Sequence, residues 1–292
     1  MGTASDSRAL LPGMALRPGH LFWRAQSRVS AALATVLPAD VDLHAYAALL
    51  ALSGGVTRSQ QELADTIGVS RTTMVKVGAD LSGQGLVRRV RRADDRRSYA
   101  LTRTPEGVAA ARRWRRHAEE VDDVVTGGFT TTEREQLRAL LQLVAEPDLS
   151  IDVPEPLRES VAYLVTHVHA RMHREFATAL HPLDLMPAHV GVLFGLDEMG
   201  PVTQSEATRA LGVSAPSMVL VVDELEQGGL VERRRHATDR RAQVLHLHGD
   251  TAGLVTRAHA LADDVSDSVL APLTPARRRR LLTLMQRFVT HP

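Results

Sequence analysis

The chain has 292 residues, a net charge of +1 at neutral pH and no cysteine. The lack of cysteine excludes disulfides, thiol catalysis and cysteine-based zinc sites. No apolar run approaches the roughly 18–20 residues that a membrane helix needs, and the N-terminus lacks a hydrophobic signal core. Hydrophobic residues make up 44% of the chain and aromatic residues only 3%, which favours helical cores of Leu, Val and Ala. We expect a cytoplasmic protein that does not bind membranes.

The chain carries one long pattern twice, 144 positions apart. Gly68-Val69-Ser70 recurs at 212–214, and 17 of the 34 residues from 68 to 101 are identical to their counterparts in 212–245. A unit of this length exceeds the roughly 20–50 residues of a solenoid repeat, so it predicts two copies of a whole domain. The predicted organisation is a flexible tail (1–18), a first unit (19–146), a Pro-rich linker (147–156) and a second unit (157–292).

Helix and turn signals predict the same order of elements in each half. In the first half, with Thr57 as the cap of the third helix, we expect helices at about 20–37, 42–52, 57–67, 70–84, 105–126 and 132–145, and a hairpin over 86–102. In the second half we expect helices at about 157–180, 187–199, 251–270 and 274–289, a helix-turn-helix over 203–228 and a hairpin over 230–247.

Two helices joined by a Gly-Val-Ser turn and followed by a charged hairpin indicate a winged helix-turn-helix. Gly68 permits the tight turn, and Ser70 can accept the free N–H groups at the start of the next helix. The predicted fold class is therefore mainly α with small β-hairpins (α+β). It contains two winged helix-turn-helix domains.

Each half resembles a subunit of the MarR family of winged-helix transcriptional regulators. The resemblance is carried by Ile67-Gly68-Val69-Ser70, Gly85-Leu86-Val87, Asp95-Arg96-Arg97, Leu101-Thr102 and Gly107, and in the second half by Leu211-Gly212-Val213-Ser214, Gly229-Leu230-Val231, Asp239-Arg240-Arg241 and Leu245. Members of that family are usually homodimers whose first and last helices interlock. The resemblance thus implies that the two winged helix-turn-helix domains are joined by a shared helical, dimerisation-like region with pseudo-two-fold symmetry. The resemblance therefore implies a single-chain pseudo-dimer that binds double-stranded DNA at an imperfect inverted repeat, most simply as a repressor. Whether two such chains associate further is left open.

The two predicted recognition helices carry different side chains at matching positions. Arg and Lys can bond guanine edges, and Thr can contact a thymine methyl or a phosphate. The second helix has no such cation: its matching residues are Ala215, Pro216, Ser217 and Leu220. It either reads bases by apolar contact and shape, or binds DNA weakly. The predicted DNA contacts are Arg71, Thr72, Thr73, Lys76, Arg91, Arg96, Arg97, Ser214, Ser217, Arg235, Arg240 and Arg241; the resemblance implies that Asp95 and Asp239 brace the wings.

The resemblance also implies a small aromatic or anionic effector, bound between the dimerisation helices and the reading head. The candidate ligand-binding residues are Trp23, Arg24, Arg28, Tyr46, Tyr163, His167 and His173. The alternative for Trp23 and Tyr46 is an ordinary core position. His169 and His173 are four residues apart and could share a metal, but no third ligand is suitably spaced, so we expect surface histidines and no metal.

The sequence contains no phosphate-binding Gly loop, no nucleophile elbow and no H-E-x-x-H motif, so we expect neither catalysis nor a cofactor. The predicted function is that of a ligand-responsive DNA-binding regulator. The alternative is a sensor of small molecules or proteins in which the second unit no longer reads DNA.

Overall fold

The computed structural model describes residues 11–38, 41–91, 99–235, 243–249 and 251–291. Helices dominate it. They are α1 (Pro12–Ala15), α2 (Pro18–Val36), α3 (Leu43–Ala51), α4 (Gln60–Ile67), α5 (Arg71–Gly83), α6 (Pro105–Thr126), α7 (Thr131–Ala145), α8 (Glu155–Arg158), α9 (Val161–Leu180), α10 (Pro187–Met199), α11 (Gln204–Leu211), α12 (Ala215–Gln227), α13 (Thr251–Leu270) and α14 (Pro275–Thr290).

Two small antiparallel sheets follow the predicted helix-turn-helix segments. In the first, β1 (Val87–Arg91) pairs with β2 (Tyr99–Arg103) in a register that sets Arg91 opposite Tyr99. In the second, β5 (Gln243–Leu247) lies between β3 (Val202–Thr203) and β4 (Val231–Arg235). Arg58 forms a single bridge to Leu101, at the place that β3 takes in the second sheet. The predicted α+β class with two winged helix-turn-helix domains is confirmed. We call residues 60–103 the first head and residues 204–247 the second head.

The described residues group into two compact units that cross the boundaries of the repeats. The N-head unit runs from Arg28 to His167 and contains the first head. The C-head unit contains the second head and combines the chain up to Ser27 with the chain from Val168 onward. Helix α2 therefore contributes its first ten residues to the unit of the other repeat, and α9 contributes its first seven. The predicted division at 146 and 157 describes the repeat, whereas the compact units arise by exchange of helix segments.

Contacts within each unit account for this exchange. In the C-head unit, the side chain of Met14 is buried in the core that α10 to α13 form. The Gln286 side-chain amide donates to the Ala15 carbonyl at 2.8 Å, and Arg17 pairs with Asp263 at 3.2 Å. In the N-head unit, the Tyr163 hydroxyl donates to the carbonyl of Ile67 at 3.3 Å.

The predicted flexible tail needs a correction over its last part. Residues 11–17 include α1 and pack within the C-head unit, because Met14 is buried and the backbone N–H of Gly13 donates to the Glu198 carboxylate at 2.6 Å. The earlier residues of the tail lie outside the described ranges.

Two helix boundaries also differ from the predictions. Helix α4 is capped by Ser59 rather than Thr57, because Ser59 and Glu62 form a reciprocal capping box. The long helix predicted from residue 157 is divided into α8 and α9. Val153 of the Pro-rich linker and Leu157 of α8 both lie in the core of the N-head unit, so the end of the linker packs within that unit.

Within the described ranges, no single helix is long and apolar enough to cross a membrane. One pair, Val161–Leu183 with Pro187–Met199, passes a test of length and composition only when its two parts are joined across a bend of 79°.

Candidate nucleic-acid interface and ligand cavity

The first head holds its recognition helix by a tight turn. Helix α4 ends at Gly68, whose φ of +72° lies in the left-handed region that side-chain-bearing residues rarely adopt. Ser70 then caps α5, with its hydroxyl accepting from the backbone N–H of Thr73 at 3.0 Å. Met74 and Leu81 are buried on the inner side of α5. The predicted turn and buried stripe therefore fix which side of the helix faces outward.

The outward side of α5 is basic. Arg71, Thr72 and Lys76 are exposed, whereas Thr73 is half-buried and its hydroxyl lies 2.8 Å from that of Ser70. Beside the helix, three arginines of β1 are also exposed: Arg88, Arg89 and Arg91. Such a face can bond phosphates and guanine edges, as DNA recognition requires.

The second head repeats the frame of the first with a different surface. Gly212 has a φ of +67°, and Ser214 caps α12 by accepting from the N–H of Ser217 at 3.3 Å. The outer side of α12 presents Leu220 and Val219, with exposed fractions of 65% and 43%. Ala215, Pro216 and Ser217 complete that side and are also exposed. Hydrogen-bonding groups for bases are therefore few on this helix.

The recognition helix and the strand that follows it differ in charge between the two heads. Residues 71–91 carry five cations and one acid, a net charge of +4. Residues 215–235 carry three arginines and four acids, a net charge of −1. The acids of the second set are Asp223, Glu224, Glu226 and Glu232. Because phosphate neutralisation drives DNA affinity, the first head has the greater capacity to bind a duplex.

Ion pairs within the second head reduce its positive surface further. The guanidinium of Arg233 on β4 pairs with both Asp223 and Glu226 of α12. Arg234 pairs with Glu232, and Arg235 is exposed. In place of Asp223, Glu226 and Glu232, the first head has Ala79, Ser82 and Arg88 at the matching positions.

Six further predicted residues lie on the wing tips, outside the described residues. They are Asp95, Arg96 and Arg97 in the first head and Asp239, Arg240 and Arg241 in the second.

A cavity of about 370 Å³ lies within the C-head unit. Its walls come from the first turns of α2, from α9 and α10, and from the second head itself. The side chains that shape it are mostly apolar or aromatic: Met14, Trp23, Met172, Phe176, Val190, Val192, Phe194, Leu211, Val213 and Val221. Its polar residues are Arg17, His20, His169, His173, Ser217, Asp263 and Ser266. A pocket that is largely apolar and has few polar groups suits a small organic ligand.

The polar groups of this cavity are mainly uncharged or paired. Burial, aided by the charge of Arg24, lowers the pKa of His20 to about 4. Burial and the neighbouring His173 lower the pKa of His169 to about 4 as well. Both imidazoles are therefore neutral at pH 7 and can donate or accept hydrogen bonds. The Arg17 guanidinium pairs with Asp263 and lies over the Phe194 ring, 5.1 Å from its centroid.

The comparisons with known proteins agree with this geometry. A model of the MarR family matches residues 39–98 and again residues 183–242, which are 144 positions apart. The transcriptional repressor CouR, solved on a 23-mer DNA duplex, is 30% identical; the match covers 44% of this chain and 92% of CouR, with a TM-score of 0.42. The chain belongs to the MarR family.

Other solved MarR-family structures match in the same way. Wild-type apo MarR from E. coli is 25% identical over 42% of this chain and 93% of that chain, with a TM-score of 0.39. BpsR from Bordetella bronchiseptica, whose structure concerns the regulation of its DNA binding by 6-hydroxynicotinic acid, is 22% identical. The match covers 44% of this chain and 91% of BpsR, with a TM-score of 0.42. Each match covers less than half of this chain. MarR-family proteins are regulators and not enzymes.

Of the seven residues proposed from the MarR resemblance as ligand contacts, the structure places Trp23 and His173 at the cavity. Arg24 lies instead against the turn of the second head: a Cβ added at Gly212 would be 3.0 Å from its Nη1. The other four belong to the N-head unit: Arg28, Tyr46, Tyr163 and His167. Among the described residues, no group of three or more His, Asp or Glu side chains is arranged to hold a metal ion.

Sequence reasoning missed several features of this MarR-like site. His169 was expected at the surface, but it is half-buried and lines the cavity. Arg17, His20 and Phe194 also line the cavity, and no local sequence pattern links them. The acids of α12 could have been found by counting charges along each recognition helix.

Proposed function

We propose that this MarR-family chain is a sequence-specific DNA-binding repressor that acts on an imperfect inverted repeat as a single-chain pseudo-dimer. A small aromatic or anionic effector releases it from DNA. Because its target is the genome, we place its action in the cytoplasm.

The observation that carries the proposal is the basic outer side of the first head. Arg71 and Lys76 project from α5, and Arg91 ends the adjoining strand β1, so both base edges and phosphates can be contacted from one surface. The second head has the same turn and cap, which supports its docking on a duplex, but its weaker charge supports an unequal pair of half-sites.

The pseudo-dimer is supported by the reciprocal exchange of helix segments. Residues 11–27 of the first repeat pack within the unit that contains the second head, and residues 161–167 of the second repeat pack within the unit that contains the first. In a homodimer, such an exchange would join two chains. Here one chain supplies both segments, so a single polypeptide can carry the arrangement.

The test is a binding titration on a duplex selected by the protein from random sequences. Fluorescence anisotropy should give a Kd below about 1 µM, and a scrambled duplex of equal composition should bind at least about 100-fold more weakly. Affinity should fall steeply with salt because phosphate contacts release counterions. Sedimentation should give one chain per duplex. Equal affinity for both duplexes at every salt would refute sequence-specific binding, whereas two chains per duplex would refute only the pseudo-dimer.

A second candidate function is favoured by the exposed Leu220 and by the ion pairs of Arg233. In this alternative the second unit no longer reads DNA, and the chain senses a small molecule or a protein through it. Changing Arg240 and Arg241 to Ala distinguishes the two. A tenfold loss of affinity, about 1.4 kcal/mol, means that the second wing contributes; no loss, with a large loss for Arg96→Ala and Arg97→Ala, favours the alternative.

A further inference from the structure

Two residues that line the cavity of the C-head unit are replaced by tyrosines at the matching positions of the N-head unit. The repeat sets Tyr163 at the position of Gly19, and Tyr46 at the position of Val190. Gly19 and Val190 line the cavity, and a Cβ added at Gly19 would meet nothing within 4 Å. Replacing glycine and valine by two tyrosines adds enough volume to fill such a space.

Both tyrosines are held in place in the N-head unit. Tyr46 has an exposed fraction of only 3% and belongs to the core. The ring of Tyr163 stacks on His167 with centroids 6.1 Å apart, and its hydroxyl donates to the Ile67 carbonyl. Burial raises the pKa of Tyr163 to about 12, so the phenol stays protonated and keeps donating.

A third pair of matching positions also differs between the two units. Ser266 lines the cavity of the C-head unit, and its counterpart is Asp122. Asp122 is already engaged within the protein: it accepts from the Ser160 hydroxyl at 3.1 Å and from the Ala162 N–H at 2.8 Å. Asp122 therefore connects α6 with the start of α9, whereas the Ser266 hydroxyl donates within its own helix, to the Ala262 carbonyl at 2.7 Å.

We propose that each chain binds one effector, in the C-head unit, so that effector sensing and base reading are divided between the two heads. The inference rests on the proposed function only in naming the occupant an effector. The head with the basic recognition helix has tyrosines at two of the matching positions, and the head with the acidic helix has an open cavity.

The lining of the cavity identifies the class of occupant. Trp23, Phe176 and Phe194 offer aromatic faces, and the neutral imidazoles of His20 and His169 offer hydrogen bonds. These groups suit a small aromatic molecule with a hydroxyl or ring-nitrogen substituent. A volume near 370 Å³ accommodates one or two rings.

The occupant would touch the second head directly. Leu211 and Val213 flank the turn at Gly212, and Ser217 and Val221 belong to α12. Binding can therefore alter the position of that recognition helix. It also contacts α2 at Gly19, His20 and Trp23, and the later residues of that helix belong to the N-head unit.

The experiment counts binding sites for 4-fluorophenol, an aromatic ring with one hydroxyl, by fluorine NMR titration of the full chain. One saturable site per chain is expected. Gly19→Tyr copies the filled unit and should weaken that site at least about tenfold. The matched control is Gly253→Tyr, because Gly253 is an exposed glycine in the first turn of α13 with nothing within 4 Å of an added Cβ. It should leave binding within about twofold.

Circular dichroism verifies that the variants fold, and Val190→Tyr provides a second filling variant if Gly19→Tyr does not. The proposal would be overturned if the chain had no saturable site for 4-fluorophenol or had two sites. It would also be overturned if Gly19→Tyr and the control Gly253→Tyr bound 4-fluorophenol with the same affinity. An anisotropy titration of the natural chain keeps the two claims apart. DNA binding without sequence preference, together with one 4-fluorophenol site per chain, contradicts only the proposed function. Sequence-specific DNA binding without that site contradicts only this inference.

Discussion

The two heads share one backbone frame and differ in the surface that it presents. Gly68 and Gly212 adopt nearly the same left-handed conformation, with φ of +72° and +67°, and a serine caps the following helix in each head. Yet residues 71–91 carry a net charge of +4 and residues 215–235 a net charge of −1. The comparison teaches that the turn specifies the position of a recognition helix but not whether that helix can bind DNA.

The largest expected effect comes from making the first head resemble the second. Arg71→Ala combined with Lys76→Leu should weaken binding to the selected duplex about 100-fold, because each specific contact contributes about 1–3 kcal/mol. The matched change in the second head, Val219→Ala with Leu220→Ala, should cost less than about threefold. Anisotropy at one fixed salt concentration measures both, and equal losses would show that the heads read DNA equally.

The second largest effect concerns Asp122, whose counterpart at the cavity of the C-head unit is Ser266. Burial, opposed by hydrogen bonds from Ala162 and Ser160, raises the pKa of Asp122 from 3.8 to about 6. A raised pKa means that the native state holds the proton more tightly, so this group's contribution is full below about pH 4 and is lost as the pH rises through about 6. The loss is on the order of 3 kcal/mol.

Asp122→Asn keeps an oxygen that can accept the same two hydrogen bonds and removes the charge. The variant should therefore have a higher melting temperature than the natural chain at pH 8, and the difference should shrink toward pH 4. Asp123→Asn is the control, because Asp123 is exposed and pairs with Arg134 at 2.7 Å. A constant difference across this pH range would mean that Asp122 is ionised throughout.

A smaller effect should appear at the shared turn. Gly68→Ala and Gly212→Ala should each cost about 1–2 kcal/mol of stability, because a side chain strains the left-handed conformation. An added Cβ would also lie 2.9 Å from His167 Nδ1 in the first head and 3.0 Å from Arg24 Nη1 in the second. Gly253→Ala has open space and a helical position, so its melting temperature should not fall.

The smallest effect comes from giving the second head two residues of the first. Asp223→Ala with Glu226→Ser installs the residues of the first head and releases Arg233 from its two ion pairs. DNA affinity should rise by about threefold to tenfold, and the salt dependence should steepen by about one phosphate, a slope change near −0.9. Asp267→Ala removes an acid that pairs with Arg278 and should leave both quantities unchanged. A rise of equal size in that control would indicate a general effect of net charge.

The sequence predicts most of the fold because the deciding signals are local. Gly68 and Ser70 lie within three residues of each other, and they position the whole turn of the first head. Thr57 was the wrong cap for a local reason too: Glu62 stands three residues after Ser59, which is the spacing of a capping box.

The packing of the N-terminal segment and the cavity could not be predicted in the same way. Gly13 meets Glu198 and Arg17 meets Asp263 across 185 and 246 positions of the chain, and no local pattern indicates such contacts. One signal was available in the repeat itself: Gly19 stands where the other copy has Tyr163, a difference in volume that points to an open position.

Hydroxyl-radical and methylation footprinting of one chain on its selected duplex tests the central claim most directly, because it shows how each half of the site is contacted. We predict an unequal footprint: strong protection of the bases and backbone in one half-site, which Arg71→Ala with Lys76→Leu abolishes, and protection of the backbone alone in the other half. Two half-sites protected equally, and affected equally by that double change, would contradict a division of work between the heads.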